Sequence, residues 1–320
     1  MNPILLALDF GGTKLAAATW RREGAEGKGF TRVASVLSPP TNDATADREV
    51  MLEICDEVLA GEAPAAVGVS FGGLVQHKQG KVVRSHHVSG WEGFPLGEWL
   101  ESRFKVPVVV DNDANVAAFG EWRFGAGKGS ETLLYVTVST GVGGGWILGG
   151  QIHHGRDGLA GEIGHMSILK DGPLCTCGRR GCVEALSSGQ AIARRASEIM
   201  TAQPAIETPL RTILSRNTIA LTAKEVAEAA AAGDKVAIRV LREAAEFLGR
   251  GIACAISLMN PDRVILGGGV TKAGAQYLKW VRDTVRLSLL RDFTAEIVSA
   301  ALGDEAPLWG AIALAEAALK

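Results

Sequence analysis

The chain has 320 residues, 47% of them hydrophobic and 21% charged, with a formal net charge of −2. That length suggests about two domains with room for a buried core. The near-neutral charge gives no footing for nucleic acid or an acidic membrane surface, and no apolar run reaches the roughly 18–20 residues that span a bilayer.

In chain order, ILLALDF (4–10) reads as a strand ending in Asp9, GGT as a tight turn, and KLAAATW as a second strand. FTRVASVL (30–37) reads as a third strand. Residues 46–60 carry Val50, Ile54 and Val58 at helical spacing. AAVGVSF (65–71) reads as a strand, PLGEWLESRF (95–104) as a helix and VPVVVDND (106–113) as a buried strand. The pattern then restarts. LLYVTVS (133–139), TGVGGG and GWILGG read as strand, glycine turn and strand. A long excursion over 151–232 holds two helical stretches, and 234–260 reads as a long helix. DRVILGGG (262–269) reads as a strand entering a glycine loop. A helix over 271–290, the strand AEIVSAAL and a helix over 305–319 close the chain. Strands alternating with helices predict a mostly parallel sheet in each half.

Three glycine loops stand at strand ends. DFGGTK (9–14) lacks the spacing of a Walker loop and of a dinucleotide fingerprint. Taken alone it could be a plain hairpin turn. Its backbone N–H groups and Thr13 hydroxyl could also meet a phosphate. STGVGGG (139–145) repeats the arrangement at the start of the second half, and GGG (267–269) ends a strand where open α/β sheets bind ligands. Asp9 suits Mg²⁺, which takes one or two protein carboxylates with phosphate oxygens, or else caps its turn. At the end of VVVDND, Asp111 and Asp113 are both candidates to accept a hydroxyl proton. The competing reading is a helix cap, which fits Asp111 better than Asp113.

Six stretches occur in the order LDFGGTK, VDNDANVAAFGEW, STGVGGG, AGEIGHM, CTCGRRGCVE and VILGGGV. Together they closely resemble the ROK family of sugar kinases and related repressors, over nearly the whole chain. The resemblance implies an α/β actin-like/hexokinase-like ATPase fold: two related, ribonuclease H-like domains around a nucleotide cleft. Residues 1–112 with 305–320 would form the first domain, onto which the last helix packs back. Residues 113–304 would form the second, with a zinc-binding insertion. The resemblance also implies ATP held by Gly11, Gly12, Thr13, Lys14, Thr140, Gly141, Gly143, Gly144, Gly268 and Gly269, with Mg²⁺ at Asp9. It puts the general base at Asp113 and the sugar against Asn112, Asp113, Gly73, Glu162, His165 and Glu184. Two departures affect the sugar side. Gly72 stands where many members carry proline, and His87 where many carry asparagine. His86, His153 and His154 have no support from these motifs and read as ordinary polar or partly buried histidines.

His165, Cys175, Cys177 and Cys182 give the spacing H-x9-C-x-C-x4-C. A Cys3His set suits tetrahedral Zn²⁺, and four protein ligands leave no open position, so the metal would be structural. Free thiols or a redox pair are the alternatives, although Cys-x-Cys is not the usual redox spacing. Cys55 and Cys254 lie on apolar helical stretches and read as core residues.

The expected activity is an ATP-dependent hexose kinase acting on the 6-hydroxyl of glucose. N-acetylmannosamine, N-acetylglucosamine and fructose kinases are the nearest alternatives. A sugar-responsive transcriptional regulator is remote, because a strand by residue 4 leaves no room for a helix-turn-helix ahead of it. An actin-like assembly or chaperone ATPase is disfavoured by the carboxylates at the sugar positions. The start, MNPILLALDFGG, has no basic segment and no cleavage site, so a cytoplasmic enzyme is expected. The expected partners are a hexose and ATP, with no nucleic acid and no membrane, in a homodimer or homotetramer.

Overall fold

The computed structural model describes residues 2–21, 29–41, 43–85, 88–216 and 220–319. His86 and His87 lie outside the described residues. The chain begins with three antiparallel strands, β1 (Ile4–Phe10), β2 (Lys14–Arg21) and β3 (Arg32–Leu37). Helix α1 (Ala44–Leu59) follows, capped by the Asp43 side chain, which accepts from Thr45 N. Then come β4 (Ala66–Phe71), the hairpin β5 (Gly73–Gln76) and β6 (Lys81–Ser85), α2 (Leu96–Phe104), β7 (Val108–Asn112) and α3 (Asp113–Phe124). The sheet order is β3-β2-β1-β4-β7, with β1, β4 and β7 parallel.

The second half repeats this plan. It contains β8 (Thr132–Val138), β9 (Val142–Leu148), β10 (Gln151–Ile152), α4 (Val183–Ser187), α5 (Gly189–Ala202), α6 (Pro209–Arg216) and α7 (Ala223–Ala231). The 25-residue α8 (Lys235–Met259), β11 (Arg263–Gly267), α9 (Ala275–Ser288), β12 (Glu296–Ser299) and α10 (Ala306–Ala318) complete it. Its sheet runs β10-β9-β8-β11-β12, again with a hairpin on one side and parallel strands on the other. Two differences from the sequence reading have local causes. The β5–β6 hairpin is too short and polar to show as a strand pattern. The helix expected from 271 begins at Ala275, because Gly274 sits at φ 107 and separates it from a 3-10 turn over Gly269–Ala273.

The chain divides into two compact units. Met1–Glu131, Gly145–Ala160 and Ala301–Lys320 make the first; Thr132–Gly144 and Gly161–Ala300 make the second. In the first unit the two-residue period of β1 sorts its side chains onto two faces. Leu6, Leu8 and Phe10 join a core with Met51, Ile54, Val58, Trp91 and Leu100, under α1 and α2. Leu5 and Ala7 face the other way, toward Val116, Leu308, Ile312 and Ala315 of α3 and α10. Each such leucine or isoleucine contributes about 1.5–3 kcal/mol by leaving water. The last helix therefore packs on the first sheet.

The first unit also keeps α3, although the sequence reading ended the first domain at residue 112. The reason is the α3–α10 contact. A Cβ at Gly120 would come within 2.7 Å of Gly310 N, so only paired glycines let the helices approach so closely. Arg123 adds an ion pair to Glu316 at 3.0 Å. In the second unit α8 buries Val240, Leu241, Leu248 and Ile252 and packs against α7 and α9. Among the described residues no helix is long and apolar enough to cross a membrane.

Candidate active site

The first glycine turn joins β1 to β2. Gly11 N donates to Lys14 O at 3.1 Å, and Ser38 N, just past β3, donates to Thr13 O at 3.0 Å. Gly72 N donates to Phe10 O at 2.9 Å. A proline at position 72 has no N–H to make that bond, so glycine here ties the 70–75 loop to the turn. Asp9 is the penultimate residue of β1, beside this turn. Its Oδ1 accepts from the Ser70 hydroxyl at 2.8 Å. Loss of hydration pushes the Asp9 carboxyl up to about 6, with the Asp113 charge adding to the rise; the Ser70 hydrogen bond and Lys14 oppose it.

At the end of β7 the chain passes straight into α3. Asn112, rather than Asp111, is the helix cap: its side chain accepts from Ala114 N at 3.0 Å and from Asn115 N at 3.4 Å. Asn112 Nδ2 donates to Gly73 O at 2.9 Å and to Asp113 Oδ1 at 3.0 Å. Asp113, the first residue of the helix, also accepts from Ala114 N at 2.8 Å. These bonds bring Asn112, Asp113 and Gly73 together. Asp111 points to the other face and is buried. Its Oδ1 accepts from Asn112 N at 2.7 Å and Asn115 Nδ2 at 3.1 Å, and its Oδ2 lies 2.5 Å from His154 Nε2.

In the second unit the turn between β8 and β9 is closed by Ser139 N donating to Gly141 O at 2.9 Å, and Ser139 O accepts from Gly189 N at 2.7 Å. The third loop leaves β11 through Gly268 at φ 87. A Cβ there would meet Val138 O at 2.4 Å, so both backbone angle and space demand glycine. Gly268 O accepts from the Thr271 hydroxyl at 2.7 Å. The two loops open on one cavity of about 710 Å³, lined by Ser139, Thr140 and Gly269 at one side and by Leu221, Ala227 and Val270 among its apolar residues. Its size and mixed lining suit a nucleotide. Thr140 and Gly269 thus meet at one cavity, while Gly143 and Gly144 continue into β9.

The Cys3His residues also converge. One ligand atom from each of His165, Cys175, Cys177 and Cys182 lies within 4.8 Å of all the others. Cys177 Sγ and Cys182 Sγ are 3.7 Å apart, and Cys175 Sγ is 3.6 Å from His165 Nδ1. Tetrahedral Zn–S and Zn–N bonds predict edges of about 3.7 Å and about 3.6 Å, so the set fits zinc. The Arg179 backbone N–H and guanidinium draw the Cys177 thiol down to about 6, toward the thiolate that binds metal. His165 Nε2 is left facing Glu162 Oε2 at 3.8 Å. Glu184 lies in the first turn of α4, two residues after Cys182. Its carboxylate accepts from Val142 N at 3.1 Å and from the Thr176 hydroxyl at 3.2 Å, so it braces the second glycine turn against the cysteine loop.

A ROK family model matches residues 5–318. The chain belongs to the ROK family. It is 34% identical to the glucokinase of Streptomyces coelicolor, over 98% of this chain and 97% of that one. An Escherichia coli N-acetylmannosamine kinase is 33% identical over 97% of this chain and 98% of that one. A solved structure of a Streptomyces griseus ROK family glucokinase, in complex with glucose and AMPPNP, superposes with a TM-score of 0.83. It is 35% identical and covers 98% of this chain and 99% of that one. The fold is thus the actin-like/hexokinase-like ATPase fold that the motifs implied.

Within that ROK framework, sequence reasoning missed Ser70, Ser38 and Thr176; His154 is partly buried, as one of the readings allowed, but its partner Asp111 was not foreseen. Ser70 carried one signal, a polar residue at the end of an otherwise apolar strand. The others are legible only once distant segments are brought together.

Proposed function

We propose that the protein is an ATP-dependent hexose kinase that transfers the γ-phosphoryl group to the 6-hydroxyl of glucose in the cytoplasm. The observation that carries this reading is the β7–α3 junction. Asp113 stands at the first helical position, steadied by the Asn112 amide and the Ala114 N–H, beside a phosphate-type turn in the same unit. The similarity to glucokinases over nearly the full chain supports glucose.

In the proposed reaction Asp113 accepts the proton of the 6-hydroxyl as that oxygen forms its bond to the γ-phosphorus. The bond from the γ-phosphorus to the β–γ bridging oxygen breaks, and ADP leaves. Asn112, Gly73, Glu162, His165 and Glu184 would meet the other sugar hydroxyls. Backbone N–H groups of the turns at 11–14 and 140–144, with Gly268 and Gly269, would hold the nucleotide phosphates. Asp9 would help hold Mg²⁺, which when bound supplies charge neutralisation on those phosphates. His165, Cys175, Cys177 and Cys182 would hold one structural zinc, setting the spacing between Glu162 and Glu184. A coupled ADP-release screen over hexoses and N-acetylhexosamines with ATP tests the reading. Release with glucose at the highest kcat/KM supports it, and no release with any sugar refutes it. A preference for N-acetylmannosamine would favour the second reading, which rests on the relative of that activity at 33% identity.

A further inference from the structure

We propose that His154 is a positioning residue for phosphoryl transfer: by gripping Asp111 it fixes the Asn112–Asp113 junction that presents the base. This rests on the reading of Asp113 as the base.

Four segments meet here. Asp111 is 3% exposed. A carboxylate that deep is costly unless donors surround it, and three do. Asn112 N and Asn115 Nδ2 reach one oxygen, at 2.7 and 3.1 Å. His154 Nε2 lies 2.5 Å from the other. With an acceptor-only carboxylate opposite, the histidine donates through Nε2, a short charge-assisted contact. His154 is itself held. Its carbonyl accepts from Ala160 N at 3.1 Å, and the adjacent His153 N donates to Trp146 O at 2.9 Å. The His77 ring stacks on the His154 ring, with centroids 3.5 Å apart and planes 7° apart. Burial, then His154, hold the His77 imidazole below its ordinary range.

His77 follows β5, and β5 begins at Gly73, whose carbonyl takes the Asn112 amide. The contacts therefore close a ring: Gly73 to His77 along the chain, His77 on His154, His154 on Asp111, Asp111 on Asn112, and Asn112 back on Gly73. A buried core could fill this space with apolar side chains at lower desolvation cost. What the polar ring adds is orientation. Asp111 fixes the backbone N–H of Asn112, and the Asn112 amide then donates to the Asp113 carboxylate. A base displaced by about 1 Å loses on the order of a hundredfold in rate.

The test is a steady-state comparison of His154→Phe and His154→Gln in the full chain, each with Asp113 and with Asp113→Asn. Phenylalanine keeps a ring for His77 to stack on but has no donor; glutamine keeps a donor. The expected result is a roughly ten- to hundredfold lower kcat for His154→Phe, with the KM for ATP within about twofold. His154→Gln should recover most of that loss. In the Asp113→Asn background His154→Phe should cost nothing further, because it acts through the base. A kcat within twofold of the parent, or the same additional loss in both backgrounds, overturns the proposal. Should the Phe variant not fold, His154→Leu removes the donor in the same way and should show the same kcat loss; an unchanged kcat there overturns it too. Failure of the base assignment is separate, since it appears as normal turnover in Asp113→Asn alone.

Discussion

Replacing Asp9 with asparagine should stabilise the ligand-free protein while weakening its chemistry. Burial lifts the Asp9 carboxyl from its ordinary 3.8 to about 6. At about 1.36 kcal/mol per pH unit, that interval corresponds to roughly 3 kcal/mol, an order-of-magnitude figure. The sign follows from which state holds the proton more tightly. The folded pKa is the higher one, so below 3.8 both states are protonated and the group costs nothing. Between 3.8 and about 6 the unfolded chain releases the proton while the folded protein still holds it, so stability falls across that interval; above about 6 the folded protein carries a poorly hydrated charge and the loss is complete. Asparagine retains the acceptor for the Ser70 hydroxyl but carries no charge. Urea unfolding followed by tryptophan fluorescence should show the variant about 3 kcal/mol more stable at pH 8, about half that at pH 5, and little different near pH 4. Comparing parent and variant at each pH cancels other titrating groups, including the cysteine cluster. In the ADP-release assay the same variant should lose most of its turnover, because the proposed hold on Mg²⁺ would go with the charge. A gain that is absent at pH 8, or equal at pH 5 and pH 8, would show that burial of an ionised Asp9 is not the cause.

Asp113→Asn should lower kcat by about 10²–10⁴-fold, the usual contribution of a positioned base, and melt within a few degrees of the parent. Turnover near normal removes Asp113 from that role. Purified protein should contain about one zinc per chain by elemental analysis. Cys177→Ala should reduce zinc content, sugar affinity by calorimetry and melting temperature together; a zinc-free preparation with full sugar affinity would refute the brace. Gly268→Ala forces a side chain into φ 87 and against Val138 O. It should destabilise the protein by about 1–3 kcal/mol and raise the KM for ATP, and unchanged values for both would refute the need for glycine there.

Much of the molecule was legible in one dimension. Strand and helix periods, with glycine turns between them, located most of the elements, because an alternating or 3.6-residue apolar pattern follows from which face meets the core. The order of short motifs carried the family, and the spacing of His165 with three cysteines implied a four-ligand metal set. The residues that reach across the chain were not legible. Nothing near position 154 in sequence marks that histidine, since its partners stand at 77 and 111. Asp111 read as a cap because an aspartate at a strand–helix junction usually is one, and only side-chain direction shows Asn112 in that role. The sequence could name Glu184 as a sugar contact but not its hold on Val142 N, which depends on the cysteine loop folding over the second glycine turn.

By itself, then, the sequence determined the repeated strand–turn–strand plan, the glycine loops and the Cys3His spacing. All of these are local patterns or short spacings. Tertiary structure alone decided where the first unit ends, which side chain caps α3, and which groups orient Asp113. Those outcomes depend on distant segments competing for the same space and the same hydrogen-bonding groups, and no local pattern encodes that competition.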